Sequence, residues 1–416
     1  MSINDPNESP DPFEGLLGDL LKVVGQSGPA GSMWFDAARS LAVGVATDGA
    51  ADGNPDPLER IKFEEISRAA EMHVSQLTGL EVVSHGKTPT IVPVRRGVFA
   101  QRTLDAYRPF FEDMVAAAEG AANATNPELA GSGSLDLSVH DSGGPDALEG
   151  LLGRFATTIG PLLLGMQFGS VVGHLSQSAL GQFAIPVPWP PSEEILVVSE
   201  NVTAFANAWS VPHDEVMLWI CAREITMHTI LSVPHVGDRL RELIQTGVLE
   251  SVEMQNELTN RLGDKIGDPD SLQSLISDPE SLFGDIFYPP GRTSSAAFTA
   301  IASALVGYVD HIAASVTSSL AGSASNVIEA WRRHLVDDSN SERAAGALFG
   351  VDLGRDQIER GTAFVAGVID RAGQDGLSRL WQSKRNLPTP ADVDAPGLWL
   401  ARIDLPDTGE DTLFGE

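Results

Sequence analysis

Apolar residues recur every three to four positions along most of this chain, and strict alternation is rare. Leu16, Leu17, Leu20, Leu21 and Val24 predict a short amphipathic helix over Phe13–Val24. Trp34, Phe35, Ala38 and Leu41 predict a second over Met33–Val45, and Ile61, Ile66, Ala69 and Ala70 a third over Leu58–Leu77, closed by Gly79. A further helix is expected over Phe99–Ala118, interrupted at Pro109, because proline lacks the N–H that a helix interior needs. Leu148–Gln182 carries Gly165, Gly169 and Gly173 at four-residue spacing. These share one helix face and let a second backbone come close. Gln167 and His174 on the same helix are expected to make core polar contacts. Strand signals are confined to Ile91–Val94 and Ile195–Val198. The class is mainly α, with few short strands.

The segments without periodicity suggest an organisation. Residues 1–12, acidic and proline-bearing, read as a disordered tail, followed by an N-terminal helical region over 13–122. A flexible linker is expected over 123–147, dense in Gly, Ser, Asn, Asp and Pro. The main helical domain then runs over 148–403, and 404–416 is an acidic tail. Asp48–Pro57 is a loop and Ile185–Pro191 an extended proline-rich stretch. Asp268-Pro269 and Asp278-Pro279-Glu280 mark turns or helix starts.

Composition narrows the class of function. The 416 residues carry 42% hydrophobic and 20% charged residues, enough apolar content for a sizeable core. A net charge of -30, spread along the length, repels nucleic acid and anionic membrane surfaces. A single cysteine, Cys221, excludes an intrachain disulfide, and its apolar neighbours Trp219, Ile220 and Ala222 suit a buried small hydrophobe. The N-terminus lacks the basic and apolar regions of a signal peptide. The apolar stretch near Pro161–Gly173 falls short of the ~20 residues a bilayer span needs. The expectation is a cytoplasmic protein without membrane insertion.

Candidate chemistry concentrates in Asp214–Leu231, a helix in which Met217, Leu218, Cys221, Ile225 and His228 follow helical spacing. Arg223 and Glu224 sit inside it in apolar company, where a charge is either paired or functional.

The segment resembles the metal-binding helix of a family of proposed zinc-dependent metalloproteases widespread in actinobacteria, one branch of which is associated with biosynthesis of a deazaflavin coenzyme. The likeness extends over most of the chain. It includes Pro161–Gln167 with Gly169 and Gly173, then Asn201, Phe205, Val211-Pro212 and Asp214-Glu215-Val216. Arg223-Glu224, Val233-Pro234-His235, Asp278-Pro279-Glu280 and Leu282-Phe283 continue it, and Leu380-Trp381, Asn386–Pro390 and Asp394–Trp399 are its most distinctive part. The resemblance implies a zincin-like fold, with a His-Glu-x-x-His helix and a third ligand on a later helix. Two histidines four apart can grip one Zn²⁺ while the glutamate serves the metal-bound water as general base.

Aligned on that pattern, the first ligand position holds Arg223, the general-base position keeps Glu224, the second ligand position holds Met227, and the third holds Val306. A guanidinium does not shed its proton, a thioether is a poor zinc donor, and an isopropyl group donates nothing. His228 lies one residue past Met227, and one residue turns a helical side chain by about 100°. Donor types alone would allow a substitute site drawn from Glu224, His228, His235 and Asp310 or His311. Alternatively, Arg223 and Glu224 belong to an ion-pair network between helices.

The function expected is therefore that of a catalytically degenerate zincin-like protein acting as a non-catalytic scaffold, with an unidentified protein or peptide as partner and no cofactor. The alternative is a hydrolase with Glu224 as general base, using zinc through rearranged ligands or no metal at all. Trp331-Arg332-Arg333-His334 reads as a salt-bridged surface patch, and Trp381, Trp399 and Asn386–Pro396 as a C-terminal strap packing aromatics onto the body.

Overall fold

The computed structural model describes residues 33–83, 86–125, 145–247, 295–337 and, apart from positions 347, 350 and 352, 345–406. The Phe13–Val24 helix, the N-terminal tail, residues 407–416 of the C-terminal tail, most of the linker and the Asp-Pro turns lie outside the described residues.

Helix α1 (Met33–Ala46) buries Trp34, Phe35, Ala38, Ala42 and Ala46. Helix α2 (Pro57–Thr78) starts on Asp56, whose carboxylate accepts from the Leu58 N–H, and ends at Gly79 in the left-handed region. Strand β1 (Thr90–Val94) precedes α3 (Arg96–Thr125). That helix runs unbroken through Pro109, contrary to the expected interruption. Leu104, Tyr107, Phe111 and Val115 are all buried, and this packed face outweighs the one backbone hydrogen bond that Pro109 removes.

Helix α4 (Pro145–Ser178) packs on both α1 and α3. Its three glycines work as their spacing suggests: a Cβ on Gly165 would lie 2.4 Å from the Trp34 carbonyl oxygen, and one on Gly169 2.3 Å from that of Ala38. His174 differs from expectation. It is exposed, and Gln177 reaches the neighbouring helix instead, donating to the Val45 carbonyl at 2.7 Å.

Strand β2 (Glu194–Val198) pairs with β1 in parallel, Thr90 opposite Glu194 through Val94 opposite Val198. Its other edge takes the turn after α4: Val198 N–H donates to the Leu180 carbonyl, Gln182 N–H to that of Leu196, and Gly181 bridges Val197. This docking fixes residues 180–183 beside the next helices, α5 (Ser199–Trp209) and α6 (His213–Leu231).

Every residue of α6 from Val216 to Leu231 is buried, so α6 is the central helix. A bend of 85° at Ser232-Val233 leads into α7 (Pro234–Gly247). Helix α8 (Ala296–Ala321) packs against α6 and is long and apolar enough to cross a membrane; 72% of that stretch is buried inside the protein. Helices α9 (Ser325–Asp337) and α10 (Arg355–Ser378) follow, α10 crossing α8 where Gly307 meets Gly361. Two short 3₁₀ turns, Arg379–Trp381 and Lys384–Asn386, then α11 (Pro390–Asp394) and α12 (Pro396–Asp404), form the strap. Trp399 is fully buried, edge-on to Phe364, and its indole N–H donates to the Asn386 carbonyl at 2.7 Å.

Candidate functional site

The site is built where α6, α8 and the 180–183 turn meet. Helix α6 places Arg223 and Glu224 next to each other in the core; the Arg223 side chain is 5% exposed and the Glu224 side chain 0%. Gly181 makes room for the carboxylate, since a Cβ there would lie 2.5 Å from its carbon. The Phe183 N–H donates to Glu224 Oε2 at 2.8 Å. From the same helix, Arg223 Nη1 donates to Glu224 Oε1 and to the Phe183 carbonyl, each at 3.3 Å. Helix α8 supplies Asp310, whose Oδ1 accepts from Arg223 Nε at 3.3 Å. The guanidinium carbon also lies 5.2 Å from the Trp331 ring and 6.0 Å from the Trp219 ring, within cation–π range.

Burial dominates the electrostatics. It pushes Glu224 up to about 7, against the pull of Arg223 and the Phe183 N–H. Asp310 is raised for the same reason, with Arg223 and Arg332 opposing. Burial lowers His228 to about 4 and raises the Cys221 thiol, which is inert in the core.

In front of this cluster opens a cleft of about 1000 Å³. Trp219, Arg223, Trp331 and Asp310 line its inner end, with Val306 beside them. One face of α10, from Arg355 to Asp370, forms a long wall on which Thr362, Ala363 and Ala366 stand exposed.

Of the residues singled out in the sequence, the structure thus joins Arg223, Glu224 and Asp310. Arg223, Val306, Asp310 and His311 line the cleft, whereas Glu224 and Met227 do not. His311 Nε2 accepts from the Gln374 amide at 2.8 Å. The other two suggested pocket histidines are not in the lining. His228 lies in the core with its Nε2 3.5 Å from the Ser232 hydroxyl, and His235 falls beyond the 85° bend. The substitute metal site is therefore not assembled: among the described residues, no group of three or more His, Cys, Asp or Glu side chains is placed to hold a metal ion. The positions the resemblance assigns to zinc ligands do not fit zinc either. The Arg223 guanidinium lies among the oxygens a cation would use, and Met227 and Val306 offer no suitable donor.

Sequence reading missed the α10 wall, although Ile358, Val365 and Ile369 follow helical spacing, and it placed Trp331 and Arg332 on a surface patch. Trp331 is in fact buried, while Arg332 is exposed and borders the cleft; Arg333 makes the expected surface pair, with Glu329 at 2.8 Å.

A family profile described as zincin-like metallopeptidase matches residues 34–400. A solved structure of a candidate hydrolase with a novel fold from Chloroflexus aurantiacus aligns with a TM-score of 0.58 at 19% identity, covering 90% of this chain and 99% of its own, a likeness of fold. Among curated proteins no match is found. With a profile spanning most of its length, the chain belongs to the zincin-like metallopeptidase family.

Proposed function

We propose that this zincin-like chain is non-catalytic and holds an apolar peptide segment of a partner protein in the cleft beside α6. One observation carries the reading: Glu224, the residue in the general-base position, is closed off from the cleft. A general base must come within hydrogen-bond reach of its proton or of a bridging water. Glu224 is 0% exposed, and both its oxygens are engaged, by Arg223 and by the Phe183 N–H. This argues against the metal-free hydrolase as well as the zinc enzyme.

The shape of the cleft supports a peptide occupant. The α10 wall from Arg355 to Asp370 is roughly 22 Å long at 1.5 Å per residue, enough for about six residues of extended chain. Ile185, Ile328, Leu353, Ile358 and Ile369 give it apolar walls, and charges stand at its margin. Titrating the full chain with fluorescent peptide libraries tests the proposal. The expected result is binding without cleavage, weakened about tenfold or more by Ala363→Arg, which fills the groove from an exposed position. A flat response across the libraries would remove the peptide occupant. Cleavage that disappears in Glu224→Gln would overturn the non-catalytic reading.

A further inference from the structure

Three oxygens from three separate segments converge on one buried guanidinium: the Phe183 carbonyl from the turn docked on β2, Glu224 Oε1 from α6, and Asp310 Oδ1 from α8. All three lie at 3.3 Å, and the guanidinium carbon lies 5.2 Å from the centre of the Trp331 ring of α9. Two carboxylates so placed without a cation would be a large electrostatic cost, since neither has enough water to solvate it: the Glu224 side chain is 0% exposed and that of Asp310 23%.

We infer that Phe183, Glu224 and Asp310 form an internal cation site whose resident cation is the chain's own Arg223. Arg223 is a positioning residue: it ties the 180–183 turn to α6 and α8, and so sets the inner end of the cleft. The inference stands whether or not the cleft takes a peptide. A planar fork suits the site better than a metal, because it directs separate N–H groups at separate oxygens while an indole ring lies within cation–π range. Other charged or titratable groups facing the cluster are Arg332 of α9, which opposes Asp310 from the cleft margin, and Cys221 and His228 on α6 itself.

The test separates charge from packing. Arg223→Met keeps the length and apolar stem but removes the cation. It is expected to lower the melting temperature by on the order of 10 °C. Removing the stranded negative charges as well, in Arg223→Met/Glu224→Gln/Asp310→Asn, should recover more than half of that loss, although two further native side chains have been altered. Arg223→Lys, which retains the charge without the fork, should fall between wild type and Arg223→Met. A triple variant no more stable than Arg223→Met, or an Arg223→Lys as unstable as Arg223→Met, would overturn the inference: the first result assigns Arg223 to packing alone, and the second shows that a positive charge at this place contributes nothing. If Arg223→Met fails to fold, the same decision rests on the triple variant. It folds if charge is the reason and stays unfolded if packing is.

Discussion

Gly361→Val should be among the most destabilising single substitutions in this protein, at roughly 3 to 5 kcal/mol. A Cβ at Gly361 would fall 1.9 Å from the Ser303 carbonyl oxygen, and one at Gly307 2.5 Å from the Gly361 carbonyl carbon. The obstructing atoms are backbone in both cases, so no side chain can rotate away and the two helices must separate. Helix α8 carries Asp310 and α10 forms the cleft wall, so the damage extends to the site. Thermal unfolding checks this, with Gly44→Ala as the control. Nothing lies within 4 Å of a Cβ at Gly44, in the last turn of α1, so alanine there should be neutral or stabilising by up to about 1 kcal/mol. Equal losses at the two positions would show that the close α8–α10 crossing is not what Gly361 serves.

The second large effect concerns acid. His228 is held neutral in the core, its value lowered by burial from 6.5 to about 4. Such a group contributes stability that is present above the unfolded value and lost as pH falls through the folded one. The gap corresponds to roughly 3 kcal/mol between pH 6.5 and 4. Glu224 works in the opposite sense: raised from 4.5 to about 7, it contributes stability that is present below 4.5 and lost as pH rises through 7. The two slopes nearly cancel between pH 4.5 and 6.5, so wild type alone would conceal both. The difference between wild type and His228→Gln isolates the histidine. The variant should gain on wild type by up to roughly 3 kcal/mol as pH falls from 6.5 to 4. A difference that stays constant over that range would mean that His228 titrates normally in the folded protein.

How far the sequence reveals this depends on whether a contact is local. The helices α1, α2 and α6 follow from their own spacing, α2 also from its caps, and the α1–α4 packing from three glycines on one face. Helix α8 has one glycine, Gly307, and the four of α10 (Gly361, Gly367, Gly373 and Gly376) do not recur at four-residue spacing, so the meeting of Gly307 with Gly361 is invisible until the two helices are placed side by side. Pro109 misled because the interruption it suggests is local, whereas the packing that keeps α3 continuous comes from α1 and α4. At the site, Arg223, Glu224 and Asp310 stood out as charges in apolar company or as donors near the helix. Phe183 and Gly181 did not: they reach Glu224 only because the turn after α4 pairs with β2, a relation that no spacing within either segment encodes.

The central claim is that the chain's own guanidinium occupies the place where this fold would otherwise need a metal. Elemental mass spectrometry on full-length protein, purified without chelator and equilibrated with excess zinc before exhaustive dialysis, tests it most directly. The account expects far less than one zinc per chain, and no change on substituting Glu224. One tightly held zinc per chain, lost in Glu224→Gln, would contradict it.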